Sequence, residues 1–164
     1  MNYSIRDATP GDLDAVLALN ESEVPHVGSI ALADMQALME MSAYFRVAYA
    51  AQNKLLAFLL GLAPGAGYSS LNYRWFDTRY EKFAYIDRIA VAPQARRLGI
   101  AQALYGDFER QTAGWARRLC CEVNLVPENP VSLAFHQRLG FARVGTLETH
   151  NGSKKVALLT KEIG

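Results

Sequence analysis

Apolar and polar positions along this chain fall into short blocks, and the period inside each block predicts an element. Residues 2–6 read as an edge strand. Asp7, Thr9, Pro10 and Gly11 interrupt it, and residues 12–19 resume with apolar positions that suit a helix opened by turn residues and acidic charge. A break at 25–29 leads to a second helix over 31–41, rich in Ala, Leu and Met at helical spacing. Residues 45–51 and 55–62 read as two strands joined by the polar turn Gln52-Asn53-Lys54, because the apolar run from 55 is short and flanked by turn residues.

Residues 64–82 form a long connection without a clear period. It carries Tyr68, Tyr73, Trp75, Phe76 and Tyr80, too many aromatic rings for a solvated spacer. Beyond it, 83–91 reads as a strand ending at Pro93. Residues 99–115 follow as a helix with Leu98, Ala101, Leu104, Tyr105 and Phe108 as its apolar face. A strand over 119–126, a short helix over 130–139 stopped by Gly140, and two strands over 142–149 and 156–162 joined across Asn151-Gly152-Ser153 complete the chain. Antiparallel pairs at both ends and a strand, helix, strand unit in the middle predict an α+β fold with a mixed sheet. With no internal repeat and no low-complexity linker, residues 1–164 read as one domain with one core.

Composition narrows the function classes. Apolar residues at 51% and charged residues at 20% suit a folded soluble protein rather than a disordered one. Seventeen basic against sixteen acidic residues leave a net charge of +1, so no global field gathers nucleic acid or a membrane surface, and any anion site must be local. Arg96 and Arg97 are the candidates; Arg110, Arg117 and Arg118 fit solvated helix faces. Cys120 and Cys121 are adjacent, so on a strand they point to opposite faces and do not pair; they read as buried or half-buried thiols. No signal pattern opens the chain and no apolar run approaches a membrane span, which fits a cytoplasmic enzyme. His26, His136 and His150 lack ligand spacing, so no metal is expected.

The stretch from Ile86 to Ala101 carries the chemistry. A strand that turns directly into a helix presents unpaired backbone N–H groups, aligned with the positive end of the helix dipole, to an anion. Gly99 allows close approach, and Ala101 keeps the next position small. Neither Gly-x-x-x-x-Gly-Lys-Ser/Thr nor Gly-x-Gly-x-x-Gly occurs, which excludes the usual nucleotide loops at motif level.

Arg96, Gly99 and Ala101 match Gln/Arg-x-x-Gly-x-Gly/Ala at the start of a main helix, and here the chain resembles the GCN5-related N-acetyltransferase superfamily. The segment from Asn129-Pro130 to Phe135-His136 and the closing Gly140-Phe141 is similar to a second family segment in the same order. The resemblance covers nearly the whole chain. It is greatest to a bacterial branch with Asp87-Arg88 on the central strand and Phe135-His136 before the Gly-Phe. The implied fold has about seven strands in a mostly antiparallel mixed sheet, splayed between two central parallel strands, with about four helices. Two positions depart from the pattern: Arg97 stands where glycine is frequent, and His136 where the residue that protonates the departing thiolate is often tyrosine.

What the resemblance implies is transfer of an acetyl group from acetyl-CoA to a primary amine of a small molecule or peptide. Protein N-terminal or lysine acetylation and a silent acyl-CoA sensor are the alternatives. The pyrophosphate would lie on Arg96, Arg97, Leu98, Gly99, Ile100 and Ala101, and the pantetheine would pair with the backbone of Ile89, Ala90 and Val91 and with Asn129 and Ser132. A backbone N–H near Ile89 would stabilise the oxyanion. Asp87 is the first candidate for the base; it reads equally as a structural partner of Arg88. Glu122 is the reserve, with Glu21 and Glu23 able to serve from the acceptor side. His136 is the candidate acid, or else a hydrogen-bonded helix histidine, and Asn129 suits a helix cap as well as a ligand contact. Tyr73, Trp75, His26 and Glu23 would line the acceptor pocket, unless the aromatic residues form a local packing cluster. A thiol relay through Cys121 stays open. Homodimers are common in the family, and no feature of this sequence sets an interface.

Overall fold

The computed structural model describes residues 2–164; the expected single-domain span begins at Met1, which lies outside them. In chain order the elements are β1 Tyr3–Asp7, α1 Leu13–Ser22, α2 Leu32–Met41, β2 Tyr44–Ala50, β3 Lys54–Leu62, α3 Leu71–Asp77, β4 Phe83–Val91, α4 Ile100–Thr112, β5 Arg118–Val126, α5 Pro130–Arg138, β6 Ala142–Thr149 and β7 Lys154–Glu162. The seven strands form one mixed sheet in the order β1-β2-β3-β4-β5-β7-β6. The fold class is therefore as expected, with five α-helices among the described residues. The long connection after β3 corrects the sequence reading, because it contains the seven-residue helix α3. That helix is short and aromatic, so its apolar period is masked; its start is set by Ser70, whose hydroxyl accepts the Tyr73 N–H.

Two compact units divide the chain, one built from residues up to Leu62 with Ile86–Gln111, the other from Ala63–Tyr85 with Thr112–Gly164. In the first, β2 pairs antiparallel with β1 and with β3, and Val47, Ala48, Leu56, Phe58 and Leu60 are fully buried beside Val16, Met35, Leu104 and Phe108 of its helices. Asp12 is the polar anchor of this unit. Its carboxylate accepts two hydrogen bonds from Arg6, one from the Thr9 N–H and one from the Tyr49 hydroxyl; the Arg6 guanidinium above all holds its pKa far below the usual carboxylate range. Asp107 of α4 plays a similar part, accepting from Tyr44 Oη at 2.7 Å and pairing with Arg46.

In the second unit β5 pairs antiparallel with β7, which pairs antiparallel with β6. The parallel register of β4 with β5 runs Phe83↔Arg118, Ala84↔Leu119 and Tyr85↔Cys120, three residues out of nine in each strand. Here α3 supplies Tyr73 and Phe76, whose rings meet Tyr85 at 5.3 and 5.8 Å between centroids. Trp75 lies against Gly145 of β6, where a Cβ would stand 3.0 Å from the indole, so glycine is what lets the ring approach. Among the described residues no helix is long and apolar enough to cross a membrane, and no group of three His, Cys, Asp or Glu side chains could hold a metal ion.

Candidate functional site

The turn between β4 and α4 is the segment that the sequence marks for an anion. Pro93–Ala95 forms a single 3-10 turn tied to β3 through Ala92 N–H to Leu56 O at 2.7 Å. The chain then leaves in an extended conformation at Arg96 and takes positive φ at Arg97 (63°) and Gly99 (77°). Helix α4 opens with the bond from Ala103 N–H to Gly99 O at 2.9 Å, so the N–H groups of Ile100, Ala101 and Gln102 precede any intrahelical acceptor. Arg96, Arg97, Leu98 and Gly99 are exposed, while Ile100 is buried and fixes the helix start.

A Cβ at Gly99 would meet nothing within 4 Å. The requirement for glycine there is conformational, and the turn has open space around it, as a diphosphate lying over the backbone needs. The donor set also fits: backbone N–H groups at a helix mouth with two guanidinium groups beside them suit the pyrophosphate of coenzyme A. Arg96 is already engaged, donating from Nη2 to both carboxylate oxygens of Glu23 at 2.7 and 2.8 Å. Glu23 is thereby the partner of Arg96, and His26, three residues on, is exposed.

On β4 itself, Asp87 is clasped by its neighbour. Arg88 Nε donates to Asp87 Oδ2 at 2.8 Å, with side chains only 9% and 4% exposed. Arg88 Nη1 continues to Asn20 Oδ1 at 3.0 Å and Gly28 O at 3.1 Å, and Asn20 Nδ2 donates to Glu21 at 2.9 Å. Glu21 also accepts from the Ser29 hydroxyl and the Ile30 N–H, and these bonds, Ser29 first, hold its pKa below the usual value. The structure thus gives Asp87 the structural partnership with Arg88 and makes Glu21 the brace of the segment after α1. Asp87 Oδ2 is held by a guanidinium, and both oxygens of Glu21 accept hydrogen bonds. Ile89 and Val91 are half-buried and Ala90 buried along the same strand.

The second unit holds another set. Glu122 on β5 accepts from Tyr85 Oη at 2.7 and 2.9 Å and from Asn72 Nδ2 at 3.2 Å. Asn129 caps α5, its side chain accepting the Ser132 N–H at 3.4 Å, and Ser132 Oγ lies 3.3 Å from His136 Nδ1. His136 is buried, with Phe135 and Phe141 edge-on to its ring. Because Nδ1 lies 2.7 Å from the Ser132 carbonyl oxygen, which only accepts, Nδ1 carries the proton. Burial lowers the pKa of this imidazole, outweighing that carbonyl. At neutral pH it is uncharged, a poor store of the proton expected of an acid.

The aromatic residues of 64–82 turn inward. Tyr73 is 1% exposed; its hydroxyl donates to Ala63 O at 2.7 Å and accepts the Ala66 N–H at 2.9 Å. Arg79 lies over Trp75 at 4.0 Å. These rings pack against one another and against Tyr85, with Tyr73 and Phe76 buried and Trp75 half-buried. Cys120 and Cys121 are buried and free, and burial pushes both thiols well up, which disfavours a thiolate relay. Sequence reasoning missed Tyr85 and Asn72. The only local signal for Tyr85 is its place two residues before Asp87 on one strand, and Asn72 has none within its aromatic surroundings.

A family model described as "Acetyltransferase (GNAT) family" matches residues 20–141. No curated protein matches the chain in sequence. Among solved structures, Ard1 from Thermoplasma volcanium superposes with a TM-score of 0.82 at 18% identity, covering 100% of this chain and 99% of that one. NAA60 of Arabidopsis thaliana in complex with a bisubstrate analogue gives 0.79 at 20% identity, with 99% of each chain covered. A phosphinothricin acetyltransferase from Sinorhizobium meliloti in complex with AcCoA gives 0.74 at 22% identity, covering 100% of this chain and 90% of that one. At these identities the likeness is one of fold.

Proposed function

This chain belongs to the acetyltransferase (GNAT) family, and from that membership we propose that it moves an acetyl group from acetyl-CoA to a primary amine of a small molecule or peptide. The observation that carries the reading is the turn over residues 96–101, with left-handed Arg97 and Gly99 leading into the N-terminus of α4 and no atom within 4 Å of a Cβ placed on Gly99. Arg96, Arg97, Leu98, Gly99, Ile100 and Ala101 would hold the diphosphate, with the backbone of Ile89, Ala90 and Val91 and the side chains of Asn129 and Ser132 assigned to the pantetheine. Acetyl-CoA supplies a thioester carbonyl already activated toward an amine. The amine nitrogen forms the new C–N bond, the C–S bond breaks, one amine proton passes to a carboxylate and the thiolate takes up a proton to leave as coenzyme A. The products are an amide and the free thiol.

Of the four carboxylates weighed as base we favour Glu122, which a phenol and an amide orient, over Asp87, Glu21 and Glu23, of which the first and last are paired with the guanidinium groups of Arg88 and Arg96. Asp87 then positions β4. The neutral state of His136 leaves it a weaker candidate for the acid than the sequence alone implied. A cytoplasmic location completes the reading, which the two reduced thiols suit.

The test is a thiol-release assay over a panel of primary amines, with Glu122→Gln and Asp87→Asn beside wild type. Glu122→Gln is expected to lower kcat roughly 100-fold or more, the lower end of what a general base contributes. Calorimetry with acetyl-CoA separates the alternatives: binding without turnover of any amine means a sensor, and no binding refutes the reading.

A further inference from the structure

Among the described residues, Asn72 Oδ1 is a buried side-chain acceptor without a hydrogen-bond partner in the protein. Its amide cannot be turned to relieve this. Nδ2 faces Glu122 Oε1 at 3.2 Å, and exchanging the two ends would set a carbonyl oxygen against a carboxylate. Buried polar groups are otherwise satisfied, so an orphan acceptor held in place by a carboxylate needs a reason. Tyr85 is spent on the same carboxylate, donating its hydroxyl proton to both oxygens.

We propose that Asn72 Oδ1 and Glu122 together receive the acceptor amine, Asn72 acting as the residue that selects and orients it. The inference rests on the proposed acetyl transfer and adds the residue that recognises the nucleophile. A primary ammonium carries three N–H donors. After one proton passes to Glu122, the neutral amine keeps two, and a bond from one of them to Asn72 Oδ1 fixes the rotation about nitrogen, so the lone pair has a defined direction. An alcohol has a single O–H; once it donates to Glu122 nothing is left for the Asn72 carbonyl, which stays orphaned. The pair therefore favours primary amines over alcohols. The Asn72 N–H bond to Glu122 also stabilises the ionised carboxylate, so Asn72 positions the base as well.

The experiment compares wild type with Asn72→Leu, which removes both polar atoms at similar volume, using benzylamine, spermidine and an alanine-terminated tripeptide as acceptors. The expected result for Asn72→Leu is an acceptor KM raised roughly tenfold, as for one lost hydrogen bond, with the acetyl-CoA KM unchanged. Two further readings separate recognition from a merely structural part: the acidic limb of the kcat/KM profile moves to higher pH, and the thermal midpoint holds or rises, because an orphan acceptor has been deleted. Asn72→Ala serves the same comparison should the leucine variant not fold. An unchanged acceptor KM with a lowered midpoint overturns the inference and leaves the acetyl transfer standing. Wild type that binds acetyl-CoA but turns over no amine overturns both.

Discussion

At Asp87 the chain made a choice that no single residue announces. A carboxylate in an apolar strand reads as a base or as the partner of a neighbouring cation; here Arg88 Nε binds Asp87, and Arg88 Nη1 continues to Asn20 and Gly28. His136 shows the converse, a group whose chemistry is set by burial. Its pKa in the folded protein lies below the unfolded value of about 6.5, so below that pH the unfolded state binds the extra proton first. The stability it confers is whole above about pH 6.5 and declines as pH falls from there through the folded pKa. Denaturant titrations at pH 7.5 and pH 5 are expected to show a larger loss for wild type than for His136→Phe, in which the ring remains between Phe135 and Phe141 but no longer titrates.

Between β4 and α4 the decisive property belongs to the element. Strand, 3-10 turn and helix follow within a few residues, and the reversal is completed by positive φ at Arg97 and Gly99. Arg97 occupies a left-handed conformation that glycine adopts without penalty, so its departure from the family pattern costs some stability and places a cation in the turn. Gly99→Val is expected to cost about 1–2 kcal/mol of stability, since a β-branched residue is poorly tolerated in the left-handed region even where space is open. The same change is expected to weaken coenzyme A binding by roughly tenfold or more, because the N–H groups at the helix mouth lose their alignment. Calorimetry and a denaturation curve on one preparation separate the two effects.

For the molecule as a whole, binding that favours the native state must raise its stability by mass action. Acetyl-CoA at a hundred times its Kd is expected to add about 2.7 kcal/mol, a rise in Tm of roughly 5–11 °C for a chain of this size. No shift with a saturating ligand would count against the cofactor assignment. The order of strands and helices was legible from the chain because each is written locally: short apolar runs in β4 and β7, period 3.6 in α4, Gly140 after α5, Asn151-Gly152 between β6 and β7. The anion turn was legible for the same reason, since a strand, a bend and a helix mouth occupy neighbouring residues. Helix α3 was not, being too short and too aromatic to show a period. What tertiary structure alone decided are the pairings over long separations: Arg88 with Asn20 across 68 residues, Asn72 with Glu122 across 50, Tyr85 with Glu122 across 37. Local pattern says which face of an element is buried, but the register of packed elements chooses which polar group meets which, and that choice separates a brace from a base.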